Sequence, residues 1–226
     1  MCFSATASFV SAAAAGGLGA LTLTRVSNAR EYPLASIPLL FAAQQAIEGA
    51  LWLSLQNHWP AAYAAPLAKT FVFIALIVWP VLIPLAVGLM EERRSRRSTI
   101  QLLVPIGLLL AAISLNAMWQ HPYSAFIANR SICYISSYSY PSTDFAIYMG
   151  CTCGPLLIST DRLLKLLGLV VMSGAVASAI FFYMSFISVW CFFAAAASVA
   201  VYLVLERRHA KDRLPVSEGD FRAGLI

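Results

Sequence analysis

The stretch Pro33-Leu-Ala-Ser-Ile-Pro-Leu-Leu-Phe-Ala-Ala-Gln-Gln-Ala-Ile-Glu-Gly-Ala-Leu-Trp-Leu-Ser-Leu55 decides the fold of this chain. As an α-helix it is long enough to cross a bilayer, whose hydrocarbon core of about 30 Å takes about 20 residues. Its only acidic residue is Glu48. Placing an acidic side chain at the bilayer centre costs roughly 2.5 to 3.5 kcal/mol on insertion scales. A chain that keeps Glu48 there either uses it or neutralises it with a partner.

Composition extends this conclusion to the whole chain. Of its 226 residues, 60% are hydrophobic and 11% are charged, against about 25% charged residues in soluble proteins. The mean hydropathy is +0.77. These values predict an all-α integral membrane protein, and the length suits one helical bundle. The net charge of +5 does not indicate nucleic-acid binding, because the basic residues form short clusters between apolar segments, as membrane topology requires.

Seven apolar segments predict a bundle of seven transmembrane helices within a single domain, residues 1–213. The segments are Phe9–Val26, Pro33–Leu55, Leu67–Met90, Thr99–Trp119, Asp144–Ile158, Leu163–Met184 and Ser188–Glu206. The fifth segment is the shortest, and it contains Gly150, Gly154 and Pro155, which predict a kinked or incomplete span. Residues 214–226 are predicted to be a disordered cytoplasmic tail.

The basic residues predict the orientation. With seven helices, 13 of the 15 Lys and Arg fall on one side, and only Lys69 and Arg130 fall on the other. The positive-inside rule therefore places the C-terminus in the cytoplasm and the N-terminus outside. The longest loop, residues 120–143, then lies outside and contains four tyrosines. Since Tyr is enriched at membrane interfaces, we expect this loop to lie across the outer mouth of the bundle.

Polar residues in the outer half of the bundle predict a binding pocket around Glu48. Helix 2 places Gln44, Gln45 and Trp52 on the face of Glu48, one turn apart. Residues of other helices fall at a similar depth, and these are Asn116, Trp119, Tyr148 and Trp190. Amide and aromatic groups beside one carboxylate suit a small cation, a proton or an amine-bearing solute.

A second interpretation of Glu48 has equal standing. A protonated Glu48 could form a hydrogen bond to a neighbouring helix and hold the bundle together, a contact worth about 0.6 to 2 kcal/mol.

The sequence predicts neither a metal site nor a cofactor. It contains no HExxH motif, no intramembrane His and no Gly-rich phosphate loop after a strand, which are the usual signatures of such sites. Cys2 and Cys133 both fall on the outer side, where an oxidising compartment would allow them to form a disulfide. Cys151, Cys153 and Cys191 are interpreted as small buried hydrophobic residues.

The opening Met-Cys-Phe-Ser-Ala-Thr-Ala-Ser-Phe9, together with Gln44-Gln-Ala-Ile-Glu-Gly-Ala-Leu-Trp52, resembles a family of small, uncharacterised bacterial membrane proteins. The motifs lie in the first half of the chain. The resemblance implies a multi-pass location in the bacterial inner membrane, with the lipid bilayer as its surroundings. It implies no activity and transfers no site residue.

Three functional interpretations follow from the sequence. The first is a small transporter or an ion- or solute-binding protein that uses Glu48. The second is a membrane sensor or assembly subunit that binds a ligand or partner at its outer face. The third is a metal-free membrane enzyme in which Glu48 acts as acid or base with His58 or His121.

Overall fold

The computed structural model describes residues 4–213, and they form seven helices and one β-hairpin. The helices begin and end close to the ends of the predicted apolar segments. A helix that crosses the hydrocarbon core needs about 20 apolar residues, so segment length predicts helix length. The helices are α1 (Ala5–Leu23), α2 (Ala29–Gln56), α3 (Ala61–Met90), α4 (Arg94–Gln120), α5 (Ser142–Ile158), α6 (Arg162–Phe181) and α7 (Phe186–Ala197 continued by Val199–Arg213).

Six of the helices are long and apolar enough to cross a membrane, which is consistent with a membrane protein. The exception is α5, with 17 residues, the segment that the sequence analysis predicted to be the weakest. The prediction of an all-α chain therefore holds, whereas six rather than seven helices meet the length and hydropathy of a span. The predicted tail at 214–226 and Cys2 lie outside the described residues.

The basic residues meet at one end of the bundle, here called the basic end. Arg25 after α1 forms an ion pair of 2.7 Å with Glu206 in α7. Arg96 at the start of α4 donates to the carbonyl oxygen of Ile158 at the end of α5, at 2.9 Å. Arg208 donates to the carbonyl oxygen of Met90 at 3.2 Å. The segments that the sequence assigned to one side thus contact one another.

Glu91 joins α3 to the turn before α6 at this end. Its carboxylate accepts hydrogen bonds from the hydroxyl and the backbone N–H of Thr160, and the N–H bond is 2.7 Å long. Burial raises the pKa of Glu91, but hydrogen bonds from Thr160 and the backbone N–H of Arg93 outweigh that effect and hold the pKa below its ordinary value. The ionised carboxylate of Glu91 therefore connects the end of α3 to the turn before α6 through hydrogen bonds.

The β-hairpin lies at the opposite end, here called the hairpin end. Strands β1 (Tyr123–Ala128) and β2 (Ser131–Ser136) pair antiparallel through a two-residue turn at Asn129 and Arg130, both with positive φ. The sequence analysis predicted only a loop here, because the turn lacks the Asn-Gly or Asp-Gly pair that usually marks such a hairpin. The ring of Tyr134 in β2 stacks on Phe71 of α3 at 4.7 Å.

The middle of α3 departs from regular α-helix. Residues Ile74–Val78 form a π-helical turn, in which the N–H of Trp79 donates to the carbonyl of Ile74. Pro80 has no N–H, so the carbonyl of Ala75 loses its donor in the helix. Pro84 removes the helical donor of the Pro80 carbonyl in the same way. The carbonyl groups of Ala75 and Pro80 therefore have no helical donor within α3, and they can accept hydrogen bonds from other helices or pack closely against them.

Gly107 of α4 packs directly on one of these carbonyl groups. A Cβ atom built at Gly107 would lie 2.1 Å from the carbonyl oxygen of Pro80. That distance is far inside van der Waals contact, so α3 and α4 approach this closely only because residue 107 has no side chain.

We predict that Gly107→Ala lowers the free energy of unfolding by about 3 kcal/mol, because the new methyl group must displace backbone rather than a flexible side chain. The matched control is Gly150→Ala in α5, where a Cβ would meet no atom within 4 Å. Thermal unfolding of both variants in detergent measures the difference. Equal melting temperatures for the two variants would show that the close approach of α3 and α4 is not present.

Candidate functional site

A large cavity opens beneath the hairpin, and we call it the vestibule. Its volume is about 640 Å³. Its walls come from the hairpin and the segment after it, the first two turns of α5 and α7, the segment before α7, two residues of α4, and single residues of α3 and α6. The volume falls within the usual range of small-molecule sites, about 300 to 1,000 Å³.

Tyrosine dominates the lining of the vestibule. Six of the nine tyrosines of the chain line it: Tyr123, Tyr134, Tyr138, Tyr140, Tyr148 and Tyr183. The hydroxyl groups of Tyr123 and Tyr140 form a hydrogen bond of 2.7 Å. Burial raises the pKa of both phenols, and in Tyr140 the bond to Tyr123 raises it further. The phenols therefore stay neutral and present polarised rings and hydroxyl groups to the cavity.

Asp144 is the one residue with a formal charge among those that line the vestibule. It lies in the first turn of α5, a position that acidic side chains commonly occupy in helices. No Lys or Arg occurs among the lining residues. The vestibule thus combines one anionic group with many aromatic faces.

Tyr148 and Trp190 form the floor of the vestibule. Both residues also line a second, smaller cavity of about 50 Å³ deeper in the bundle. Their rings meet edge to face at 5.5 Å, and Phe186 stacks on Trp190 at the same centroid distance. The indole N–H of Trp190 donates to the carbonyl of Val171 in α6 at 3.0 Å. This aromatic layer separates the vestibule from the inner cavity.

The π-helical turn of α3 fixes the position of Tyr148. The hydroxyl group of Tyr148 donates to the carbonyl oxygen of Ala75 at 2.6 Å. Because Pro80 cannot supply the usual helical donor, this carbonyl is available to α5. A break in one helix thus positions a floor residue that belongs to another, as π-helical turns often do near functional sites.

A buried polar cluster on α2 forms a second candidate site. Glu48, Gln44 and Gln45 all have no exposed surface. The hydroxyl group of Ser188 in α7 donates to Glu48 Oε1 at 2.5 Å. Gln44 accepts from the indole N–H of Trp79 at 2.9 Å and donates to Cys191 Sγ at 3.3 Å. Glu48 and Gln44 therefore connect α2 to α3 and α7.

The structure does not unite the seven predicted binding residues in one pocket. Tyr148 lines the vestibule, whereas Glu48, Gln44 and Gln45 lie in packed helix interfaces and line neither of the two cavities. The ring of Trp52 is buried among residues of α3 and the hairpin. The predicted wall residue Trp190 does line the vestibule.

Asn116 and Trp119 point away from this interior. Asn116 is exposed and bonds Gln120 one turn later at 3.0 Å. The ring of Trp119 is 85% exposed, with the ammonium group of Lys69 5.8 Å from its centroid. The sequence predicted that both residues face the interior of the bundle, whereas both are exposed on the surface of α4. Neither residue lines the vestibule.

The predicted catalytic partners of Glu48 lie apart from it. His58 is exposed after the end of α2, and His121 bonds the hydroxyl group of Ser137 at 2.8 Å. Cys133 is buried in β2, and its pairing with Cys2 stays a prediction. Among the described residues, no group of three or more His, Cys, Asp or Glu could hold a metal ion.

Sequence reasoning missed Asp144 and the start of α7 as parts of a site. Tyr183, Met184 and Phe186 all line the vestibule. The sequence contained a usable signal for Asp144 as a site residue, because it is the acidic residue that follows the tyrosine-rich segment. The aromatic residues of α7 line the same cavity because of tertiary packing, which the sequence alone does not show.

We predict that Tyr148→Phe lowers the free energy of unfolding by about 1 to 3 kcal/mol, because it leaves the Ala75 carbonyl buried without a donor. The control is Tyr32→Phe, since the ring of Tyr32 is 57% exposed at the basic end. Chemical unfolding in mixed micelles provides the measurement. A Tyr148→Phe protein as stable as the control would contradict the role of this hydrogen bond.

Comparison with known proteins assigns the chain to a family. It matches the model of a family of unknown function, DUF6629, over residues 1–215, and it therefore belongs to that family. Searches of curated proteins and of solved structures found no match. The resemblance to an uncharacterised family is confirmed, while its bacterial membrane origin and the quoted motifs stay predictions.

Proposed function

We propose that this DUF6629 protein is a multi-pass membrane protein that binds a small organic cation, such as a quaternary or protonated amine, in the vestibule. The observation that carries the proposal is the lining of the vestibule. Six tyrosines, Trp190 and two phenylalanines surround a cavity in which Asp144 supplies the only formal charge.

Aromatic rings with one carboxylate fit an organic cation better than other ligand classes. The negative faces of the rings attract a cation, by about 0.5 to 1 kcal/mol each when exposed and about 2 when desolvated. An anionic ligand would meet Asp144 and no basic residue among those lining the cavity. A purely apolar ligand would make no favourable electrostatic contact with Asp144.

The distribution of charge supports an orientation in the bacterial inner membrane. The basic end, with most of the Lys and Arg residues, would face the cytoplasm. The hairpin end, with only Lys69 and Arg130, would face outward, so that the vestibule receives its ligand from outside the cell. The family resemblance supports the bacterial setting.

Choline is the probe that tests the proposed site. We expect choline to raise the melting temperature of the purified protein more than its neutral analogue, in which a tert-butyl group replaces the trimethylammonium group. The two probes have nearly the same shape, so the difference measures the cation. Asp144→Asn should weaken choline binding by about tenfold, since it removes the opposite charge that the lining supplies to the cation.

The control variant is Glu92→Gln, which removes a carboxylate whose side chain is 81% exposed at the basic end. Its choline response should equal that of the unmodified protein. Equal stabilisation by choline and by the neutral analogue, or an Asp144→Asn protein that binds choline normally, would refute the proposal.

Transport is a second candidate, and the inner cavity favours it. The floor residues Tyr148 and Trp190 line both cavities, so their displacement would connect the vestibule with the interior of the bundle. Pro80, Pro84 and the π-helical turn give α3 a place where such a motion costs little. Uptake of labelled choline into proteoliposomes would support transport, whereas binding without uptake would leave a receptor or sensor.

A further inference from the structure

A group of buried polar side chains lies between α1, α2 and α7, apart from the vestibule. Its members are Ser8, Gln45, Glu48 and Ser188, and none has any exposed surface. The hydrogen bond from Ser188 to Glu48, 2.5 Å long, ties α7 to α2 at this place. We call these four residues the Glu48 cluster.

Gln45 is unusual among the described residues. Neither its amide oxygen nor its amide nitrogen has a hydrogen-bond partner there. Burying an amide without partners costs roughly 1 to 3 kcal/mol by mutational measures. Gln45 precedes Glu48 by three residues, so the two side chains share one helical face. The side chain of Gln45 therefore offers its amide oxygen on the same helical face as the Glu48 carboxylate.

Ser8 of α1 presents a similar case. Its hydroxyl oxygen is buried and has no hydrogen-bond partner among the described residues. Gly19 packs against Leu39, and Gly49 packs against Phe9, so α1 and α2 run antiparallel in this register. Ser8 then lies at the level of Glu48 and Trp52, on the buried stripe of α1.

The donor set of the Glu48 cluster has a defined chemical preference. It supplies one carboxylate and two neutral oxygens, the Ser8 hydroxyl and the Gln45 amide oxygen. Oxygen ligands suit hard cations, and one negative charge is balanced by one positive charge. A divalent cation would leave an uncompensated charge in the interior, which is costly.

We propose that the Glu48 cluster is a binding site for a small monovalent cation, with Na⁺ as its probe. Glu48 neutralises the ion, and the Gln45 amide oxygen and the Ser8 hydroxyl supply neutral ligands. Ser188 orients the carboxylate through its hydrogen bond to Glu48 Oε1. Oxygens that share a cation lie further apart than a hydrogen-bonded pair, which agrees with the lack of a partner for Gln45 and Ser8 among the described residues. Binding fixes α7 against α1 and α2, and it thereby holds Ile187 and Trp190 in the wall of the vestibule.

The experiment compares melting temperatures of the full chain in NaCl and in CsCl at equal concentration, so that ionic strength is the same. A site of fixed size binds Na⁺ and Cs⁺ with different affinities, whereas screening by ionic strength is the same in the two salts. We expect NaCl to raise the melting temperature by about 3 °C or more through binding to the folded state. Glu48→Gln should abolish the difference.

Two serine variants provide the matched pair. Ser8→Ala removes a proposed ligand and should raise the Na⁺ concentration for half-maximal stabilisation about tenfold, as expected for a lost polar contact. Ser54→Ala removes a hydroxyl group that is equally buried and also lacks a partner among the described residues. Ser54 lies about 120° around the axis of α2 from Glu48, so its variant should respond to Na⁺ normally. This pair tests the proposal even if Glu48→Gln does not fold.

Asp144→Asn separates this site from the vestibule, and its Na⁺ response should be unchanged. Equal melting temperatures in NaCl and CsCl for the unmodified protein would overturn the proposal. So would an Ser54→Ala protein that loses its response as Ser8→Ala does. Loss of the response in Asp144→Asn would place the ion in the vestibule and would also overturn it.

Discussion

The hydrogen bond from Tyr148 to the Ala75 carbonyl is the contact on which the arrangement of the site depends. It exists because the π-helical turn and Pro80 leave that carbonyl without a donor in its own helix. In a membrane no water can satisfy such a group, so another helix must do so. The phenol ring is thereby fixed between two cavities, and its T-shaped contact with Trp190 completes the layer that separates them.

Two chemically different centres result from this packing. The vestibule is wide, aromatic and lined by one carboxylate. The Glu48 cluster is fully buried, and its groups are polar. Trp190 and Ser188 lie two residues apart in α7, so the two proposed sites meet at neighbouring positions of one helix.

The sequence predicted the helices better than the arrangement of polar side chains, for physical reasons that differ between residues. Helix boundaries follow from the length of apolar segments, which is why the predicted segment Asp144–Ile158 was identified as the weak one, and the helix there has 17 residues. Depth follows from position along a helix, and Tyr148 lies in the lining of the vestibule. Rotation about the axis does not follow when a helix is apolar on all sides, as α4 is, and Asn116 and Trp119 were therefore placed on the wrong face. The hairpin was missed because Arg130 occupies a turn position where Gly is usual.

The central claim is that the vestibule is a site for an organic cation, and protection from a thiol reagent tests it most directly. Ser136→Cys places a thiol in the vestibule, whereas Ser124→Cys places one on the neighbouring strand outside it. Each cysteine variant is treated with a membrane-impermeant methanethiosulfonate that carries a trimethylammonium group. The rate of thiol labelling is measured with and without choline. The account predicts that choline slows labelling at position 136 and leaves labelling at position 124 unchanged. Equal labelling of Ser136→Cys with and without choline would contradict it.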